Sequence, residues 1–349
     1  MTVVARSAPD TDKELFMKSR QIFFTDVRKV EILDVDVPTP TGDEVLVDME
    51  YTVISGGTER ANLMGMQNTV AFPKSLGYCG VGHVVSVGGA VKSVAPGDRV
   101  LVYHGHHMKY NLRPEADITK VEDEGIDSLD AAFVIIASMG LGGVRKLEIE
   151  LGESAMVMGL GLLGIFALQF CRQSGAYPVI AADLNPARRE LALALGADYA
   201  FDPASPDFTE QVMAATKGKG VRATVEVTGV SAAMKQALEC ASYMGRISLL
   251  GCTRKSDCEV DYYRQVHRPG VTLIGAHNFV RPKHESYPHH WTHQDDCKAI
   301  LDLIASGRIR VAPIVSRVVA PDDAVEIYNE LCDNPEFPMG TVFDWRNEK

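Results

Sequence analysis

Residues 154–170 read SAMVMGLGLLGIFALQF, an apolar strand that runs through three glycines into an apolar helix. The pattern Gly159-x-Gly161-x-x-Gly164 constrains the chain because each glycine answers a separate steric demand. The first permits a tight turn, the second lets the backbone approach a pyrophosphate, and the third lets the helix pack closely on the sheet. Leu162 and Leu163 lie in the same turn, where the helix N-terminus faces the phosphates. The next strand, PVIAAD, ends in Asp183, about twenty residues further on, where an acid accepts hydrogen bonds from both ribose hydroxyls. An acid there repels a 2′-phosphate, so NAD is the expected cofactor; Arg188, a few residues later, softens that preference. Later strands close at EVTG and LLGC, which places Thr228 and Gly251 at the edge where the nicotinamide half should lie.

Strand and helix alternate from this fingerprint to GVTLIGAH, which argues a parallel sheet covered on both faces. The chain before it reads differently. DEVLVDMEYTVIS, GHVVSVG and GDRVLVY are apolar, β-branched runs punctuated by Gly and Pro, as in a small barrel or sandwich. Residues 128–150 then read as helix, with Ser128 as its N-cap. DDCKAILDLIASGRI is a further helix, and VAPIVSRVVA and MGTVFDW are strands returning to the first domain. A chain of 349 residues accommodates two such domains.

Composition removes several classes of function. The net charge is −11 and no basic block occurs, so nucleic acid is not an expected partner. No apolar run has the length of a membrane span. The first twenty residues lack a continuous apolar segment and read as a loose arm. Seven scattered cysteines form no Cys-x-x-Cys pair, as expected of reduced thiols in a cytoplasmic protein.

Several blocks together resemble the medium-chain dehydrogenase/reductase superfamily, the alcohol-dehydrogenase-like proteins. These are VISGGTERANLMG, LGYCGVGHVVSVGGAVKSVAPGDRV, GESAMVMGLGLLG and LALALGADYAFDP. The resemblance implies an α/β protein with two parts. A GroES-like β-rich catalytic domain spans 1–150 and is completed by 295–349; a Rossmann domain with a doubly wound parallel sheet spans 151–294. It also implies an active site between them and subunits that associate as homodimers or homotetramers.

Zinc-containing members carry a Cys in the first loop, a His-Glu pair in the second block and a Cys or acid in the helix before the cofactor domain. Here those places read Gly56 with Ser55 before it, Tyr78-Cys79, and Ile135, and residues 97–125 hold no cysteine for a structural metal lobe. Catalytic zinc needs three protein ligands, so the chain reads as a zinc-free member with no metal site. A side chain must then manage the proton that accompanies hydride transfer. Thr58 matches the family's relay hydroxyl, Glu59 stands beside it, and Tyr78 replaces the lost His; all three are expected to face the cleft. Plainer readings have Thr58 and Glu59 capping a short helix, Glu59 pairing with Arg60, and Tyr78 as an aromatic lid. His104 and His107, in YHGHHMKY, are further acid–base candidates, not ranked against His106 by sequence.

Arg60, Lys109, Asn278, His289 and Trp291 complete a donor-rich substrate wall, and YYRQVHRPGVTLIGAHNFVRP resembles the sugar- and polyol-type members. The expected activity is zinc-independent hydride transfer between NAD and a secondary hydroxyl or ketone of a sugar, polyol or cyclitol. The rivals are an NAD(P)H-dependent quinone or enoyl reductase, against which Asp183 argues, and a cofactor-binding protein without turnover.

Overall fold

The structure is a computed structural model and describes residues 16–348. The expected arm lies outside the described residues as far as residue 15, and Met17–Asp26 already form a strand, β1, paired antiparallel with β2 (Lys29–Val37). β3 (Glu44–Val53) leads into the short helix α1 (Gly56–Leu63). β4 (Cys79–Val87), β5 (Arg99–Tyr103), β6 (Tyr110–Pro114) and β7 (Ile118–Lys120) follow. The glycines of LGYCGVG are explained by crowding. A Cβ on Gly77, whose φ is +112°, would lie 2.4 Å from the His107 backbone nitrogen, and one on Gly82 would lie 2.2 Å from the Asp48 carbonyl oxygen. The stretch is an extended lead-in, residues 76–78, and the start of β4, both packed hard against their neighbours.

The expected helix over 128–150 is broken into α2 (Ser128–Ala131) and α3 (Val134–Arg145). Its cap is Asp127, whose carboxylate accepts the Leu129 N–H at 2.7 Å, and Ser128 is the first helical residue. An acid one residue upstream serves the same orphan donors as a serine.

The alternating region folds as β8 (Ala155–Met158), α4 (Leu162–Gln173), β9 (Val179–Ala182), α5 (Pro186–Ala194), β10 (Tyr199–Phe201) and α6 (Phe208–Ala215). It continues as β11 (Val221–Glu226), α7 (Ser231–Cys240), β12 (Ala241–Leu249) and β13 (Thr272–Gly275). These strands make one parallel sheet in the order β10-β9-β8-β11-β12-β13. The order reverses between β8 and β11, and ligands of such sheets bind at the strand C-termini there. Ala155 and Val157 of β8 face one apolar cluster with α3 and α4, while Met156 and Met158 face the other with α6 and α7. Burial on both faces is why this strand carries no polar alternation.

The helix α8 (His293–Ala305) follows, then β14 (Arg317–Val319), α9 (Ala324–Asp333) and β15 (Thr341–Asp344). The last strand pairs with β3, so the chain end returns to the first sheet, whose order is β14-β15-β3-β4-β5-β7. The first half of VAPIVSRVVA is a 3₁₀ turn at Ala312–Ile314 rather than strand.

Candidate active site

At the switch point the three glycines meet distinct constraints. Gly159 turns with φ +92°. A Cβ on Gly164 would lie 1.8 Å from the Gly159 carbonyl oxygen, so α4 can approach β8 only with glycine there. Gly161, the N-cap of α4, is flanked by open space, leaving a cradle of backbone N–H groups at a helix N-terminus. Leu162 is buried, so only its backbone faces that cradle, and Leu163 is half-buried.

The Asp183 carboxylate accepts the Leu160 N–H at 2.7 Å and the Asn185 N–H at 2.8 Å, pinning the glycine turn to the end of β9. A guanidinium nitrogen of Arg188 stands 3.9 Å from the same carboxylate. These residues fit a dinucleotide: backbone donors, empty space and an acid at the ribose position. Glu226, which sequence reading left unassigned, is buried; burial raises its carboxyl above the usual range while Thr228 and Gly229 donate to it. The Thr228 hydroxyl also accepts the Val230 N–H at 3.0 Å, so it first orders its own loop. Gly251 has a packing reason to be glycine, since its Cβ would lie 2.4 Å from the Gly229 nitrogen.

Of the places compared with the zinc ligands, Gly56 and Ile135 offer no donor, while Tyr78, and Ser55 beside Gly56, offer hydroxyls. The Tyr78 phenol donates to the Ser55 hydroxyl and is hydrogen-bonded to Thr58. Burial, with Cys79 and Glu59 nearby, pushes its pKa well above the usual tyrosine value. The Cys79 thiol is buried against the Val53 carbonyl at 3.5 Å, and burial raises its pKa too. Ile135 is in the apolar core. Among the described residues no three His, Cys, Asp or Glu side chains converge. A phenol, a serine and an isoleucine do not make a zinc donor set, and the residues present do not fit the metal.

Glu59 and His107 do not face the cleft, as sequence reading expected, but lie inside the β-rich part. Glu59 is fully buried, with one carboxylate oxygen accepting the Ser55 N–H at 2.8 Å. Its other oxygen accepts the Tyr328 hydroxyl at 2.6 Å and lies 3.2 Å from His107 Nε2. His107 Nδ1 meets the Thr52 hydroxyl at 2.7 Å, and Trp345 donates to that hydroxyl at 2.8 Å. Thr58 and Glu59 thus lie inside α1 rather than capping it, and Glu59 serves the first turn by accepting the backbone N–H of the N-cap residue Ser55. Arg60 turns outward and donates to the Cys332 carbonyl at 3.3 Å. Lys109 is buried, 2.5 Å from Asp48 and 3.1 Å from the Trp345 carbonyl. Neither is placed to line the cleft.

Of the remaining candidates, Asn278, His289 and Trp291 lie on the segment after β13, and His104 directly follows β5. Asn278 donates to the Tyr103 hydroxyl, and Tyr103 stacks on His104 with ring centres 3.6 Å apart. His104 Nδ1 stands 3.1 Å from Asp117. His289 and Trp291 line a separate recess with Arg145 and Arg281. Sequence reading missed Ser55 as a functional side chain, although it named the position. It also missed Tyr103 and Tyr328, which no motif marks because their contacts are tertiary.

The chain matches a family model described as the alcohol dehydrogenase GroES-like domain over residues 41–145, and one described as zinc-binding dehydrogenase over residues 163–305. It is 30% identical over 278 residues to S-(hydroxymethyl)glutathione dehydrogenase of Synechocystis sp., covering 64% of this chain and 75% of that protein. It is 26% identical over 333 residues to L-threonine 3-dehydrogenase of Pyrococcus horikoshii, covering 86% of this chain and 91% of that one. A zinc-binding-dehydrogenase-type protein of Sinorhizobium meliloti 1021, solved bound to NADP, shares the fold at TM-score 0.78 and 23% identity, over 94% of this chain and 99% of that one.

Proposed function

Because the chain belongs to the medium-chain dehydrogenase/reductase superfamily, the alcohol-dehydrogenase-like proteins, we propose that it moves hydride between NAD and a secondary hydroxyl or ketone of a sugar, polyol or cyclitol, without zinc. An oxidoreductase of alcohol-dehydrogenase type is the coarser statement, and the named relatives are dehydrogenases of threonine and S-(hydroxymethyl)glutathione. The observation that carries the finer reading is the Tyr78–Ser55–Thr58 hydroxyl set.

The dinucleotide supplies or accepts the hydride when bound, seated by the Gly159–Gly164 turn and Asp183. The protein's own residues handle the proton. In the reducing direction the Tyr78 phenol donates to the developing alkoxide. Its raised pKa keeps the proton on at neutral pH, and an alkoxide is basic enough to take it. Ser55 and Thr58 hold the phenol oxygen in place and lead the replacement proton to it. Glu59 steadies Ser55 from behind through its backbone N–H. The preference for hydroxylated ligands is supported by the hydroxyls of this set and by His104 and Asn278 around Tyr103, which adjoins Cys79 on the next strand.

Asp183 supports NAD. Arg188, 3.9 Å away, favours NADP as the second reading, because it could balance a 2′-phosphate. Initial rates on a panel of polyols, sugars and cyclitols with each cofactor test both points. Turnover of hydroxyl substrates with NAD is expected. Turnover of enones or quinones alone would sink the reading.

A further inference from the structure

A shallow, open recess, with about 20 Å³ of enclosed space, lies between the end of α3, the segment after β13 and the start of α8. Its walls carry Arg145, Lys146 and Arg281, with the imidazoles of His277, His289 and His290. The one acid in the lining is Asp296, which is buried and accepts from Arg145 at 2.6 Å and from Arg281 at 3.3 Å. Three basic side chains therefore face one carboxylate.

The cations differ in what they have left to give. Arg281 also donates to the Asn278 carbonyl at 3.1 Å and the Ser138 carbonyl at 3.2 Å, so all three of its nitrogens are engaged. Three of its five N–H groups are therefore spoken for, and it contributes mainly fixed charge. The guanidinium carbon of Arg145 sits over the Trp291 ring, 3.8 Å from its centre, and among the described residues its two terminal nitrogens make no hydrogen bond. Lys146 is half-buried with neither an ion pair nor a side-chain hydrogen bond among the described residues. Burial first, and then the charge of Arg281, hold its pKa below the usual lysine value.

We propose that this recess binds the phosphate group of a small molecule, held by the free nitrogens of Arg145, by Lys146 and by the surrounding imidazoles. The donors come from the end of α3 and from two stretches of the segment after β13, residues 277–281 and 289–290, that face the same recess. A tetrahedral dianion uses such an arrangement, whereas a planar carboxylate is matched by a two-pronged fork. A dianion also compensates the two surplus charges. Tyr78 and Thr58 do not line the recess, so the proposal goes beyond the hydride-transfer reading and stands without it.

Titration of inorganic phosphate into the full chain, followed by calorimetry and by tryptophan emission, to which Trp291 and Trp345 both contribute, tests this. Wild type should bind saturably, and Lys146→Met should weaken binding about tenfold, the loss of one charge-assisted contact. NADH affinity should stay unchanged in that variant, because Lys146 is not part of the glycine turn. His290→Gln, with a smaller loss, guards against a folding defect in the first variant. Glycerol 3-phosphate run in parallel separates two sources of the same chemistry. Tighter binding of the monoester with the same loss in Lys146→Met assigns the site to a phosphorylated metabolite. Tighter binding of inorganic phosphate with the same loss assigns it to the free anion. No saturable binding, or equal phosphate affinity in wild type and Lys146→Met, would overturn the proposal, the second result placing the anion on the glycine turn.

Discussion

The Tyr78 phenol is pulled in two directions: the hydroxyls of Ser55 and Thr58 ease its ionisation, and burial, which dominates, opposes it. Removing the hydroxyl in Tyr78→Phe should lower kcat by about two to three orders of magnitude, the usual scale for a lost proton donor. KM for the cofactor should hardly move, and steady-state kinetics in both directions read the split. The raised pKa also fixes a sign. Alcohol oxidation needs the phenolate, whose fraction grows about tenfold per pH unit below its pKa, so kcat/KM for oxidation should climb beyond pH 10. Carbonyl reduction uses the protonated phenol and should stay level over that range. A pH profile that levels near neutrality in the oxidation direction would point to another group. Sequence reading found Tyr78 through its place in a motif. It misplaced Glu59 and His107 because letters show residue type and order, not which side of a strand is covered by the returning chain end.

At the level of elements, the β8–turn–α4 unit was legible because each requirement is local. Gly164→Ala should cost at least about 3 kcal/mol, since overpacking here meets a backbone carbonyl that cannot move aside. Urea unfolding and loss of NADH binding would register it together. The α1 turn behaves differently. Glu59 joins α1 to α9 through Tyr328 and to the segment before β6 through His107. Glu59→Ala should destabilise by about 3 kcal/mol by leaving buried donors unpaired, and Glu59→Gln by less. Thermal unfolding of the two variants checks the order. The break between α2 and α3 was not legible, because the residues around it are uniformly apolar and keep either form of the chain buried.

For the whole molecule, metal content is the broadest test. Protein purified without chelator should hold well under one zinc per chain, and chelation should leave activity unchanged. Stoichiometric zinc, measured by elemental analysis, would return the mechanism to a Lewis acid. The sequence by itself determined the parallel sheet, its cofactor turn and the family, because glycine spacing, strand period and the acid at the second strand's end are properties of neighbours along the chain. Residue identity also carried the expectation of a zinc-free member, through Gly56, Tyr78 and Ile135 at the resembled ligand positions. Only the tertiary structure decided which polar residues share a site. It sent Glu59, His107 and Lys109 into the interior, gave Ser55 to Tyr78, and gathered Arg145, Lys146 and Arg281 from distant segments into one recess. The physical reason is that burial and electrostatic balance depend on what packs across from a side chain, and those partners lie tens to hundreds of residues away.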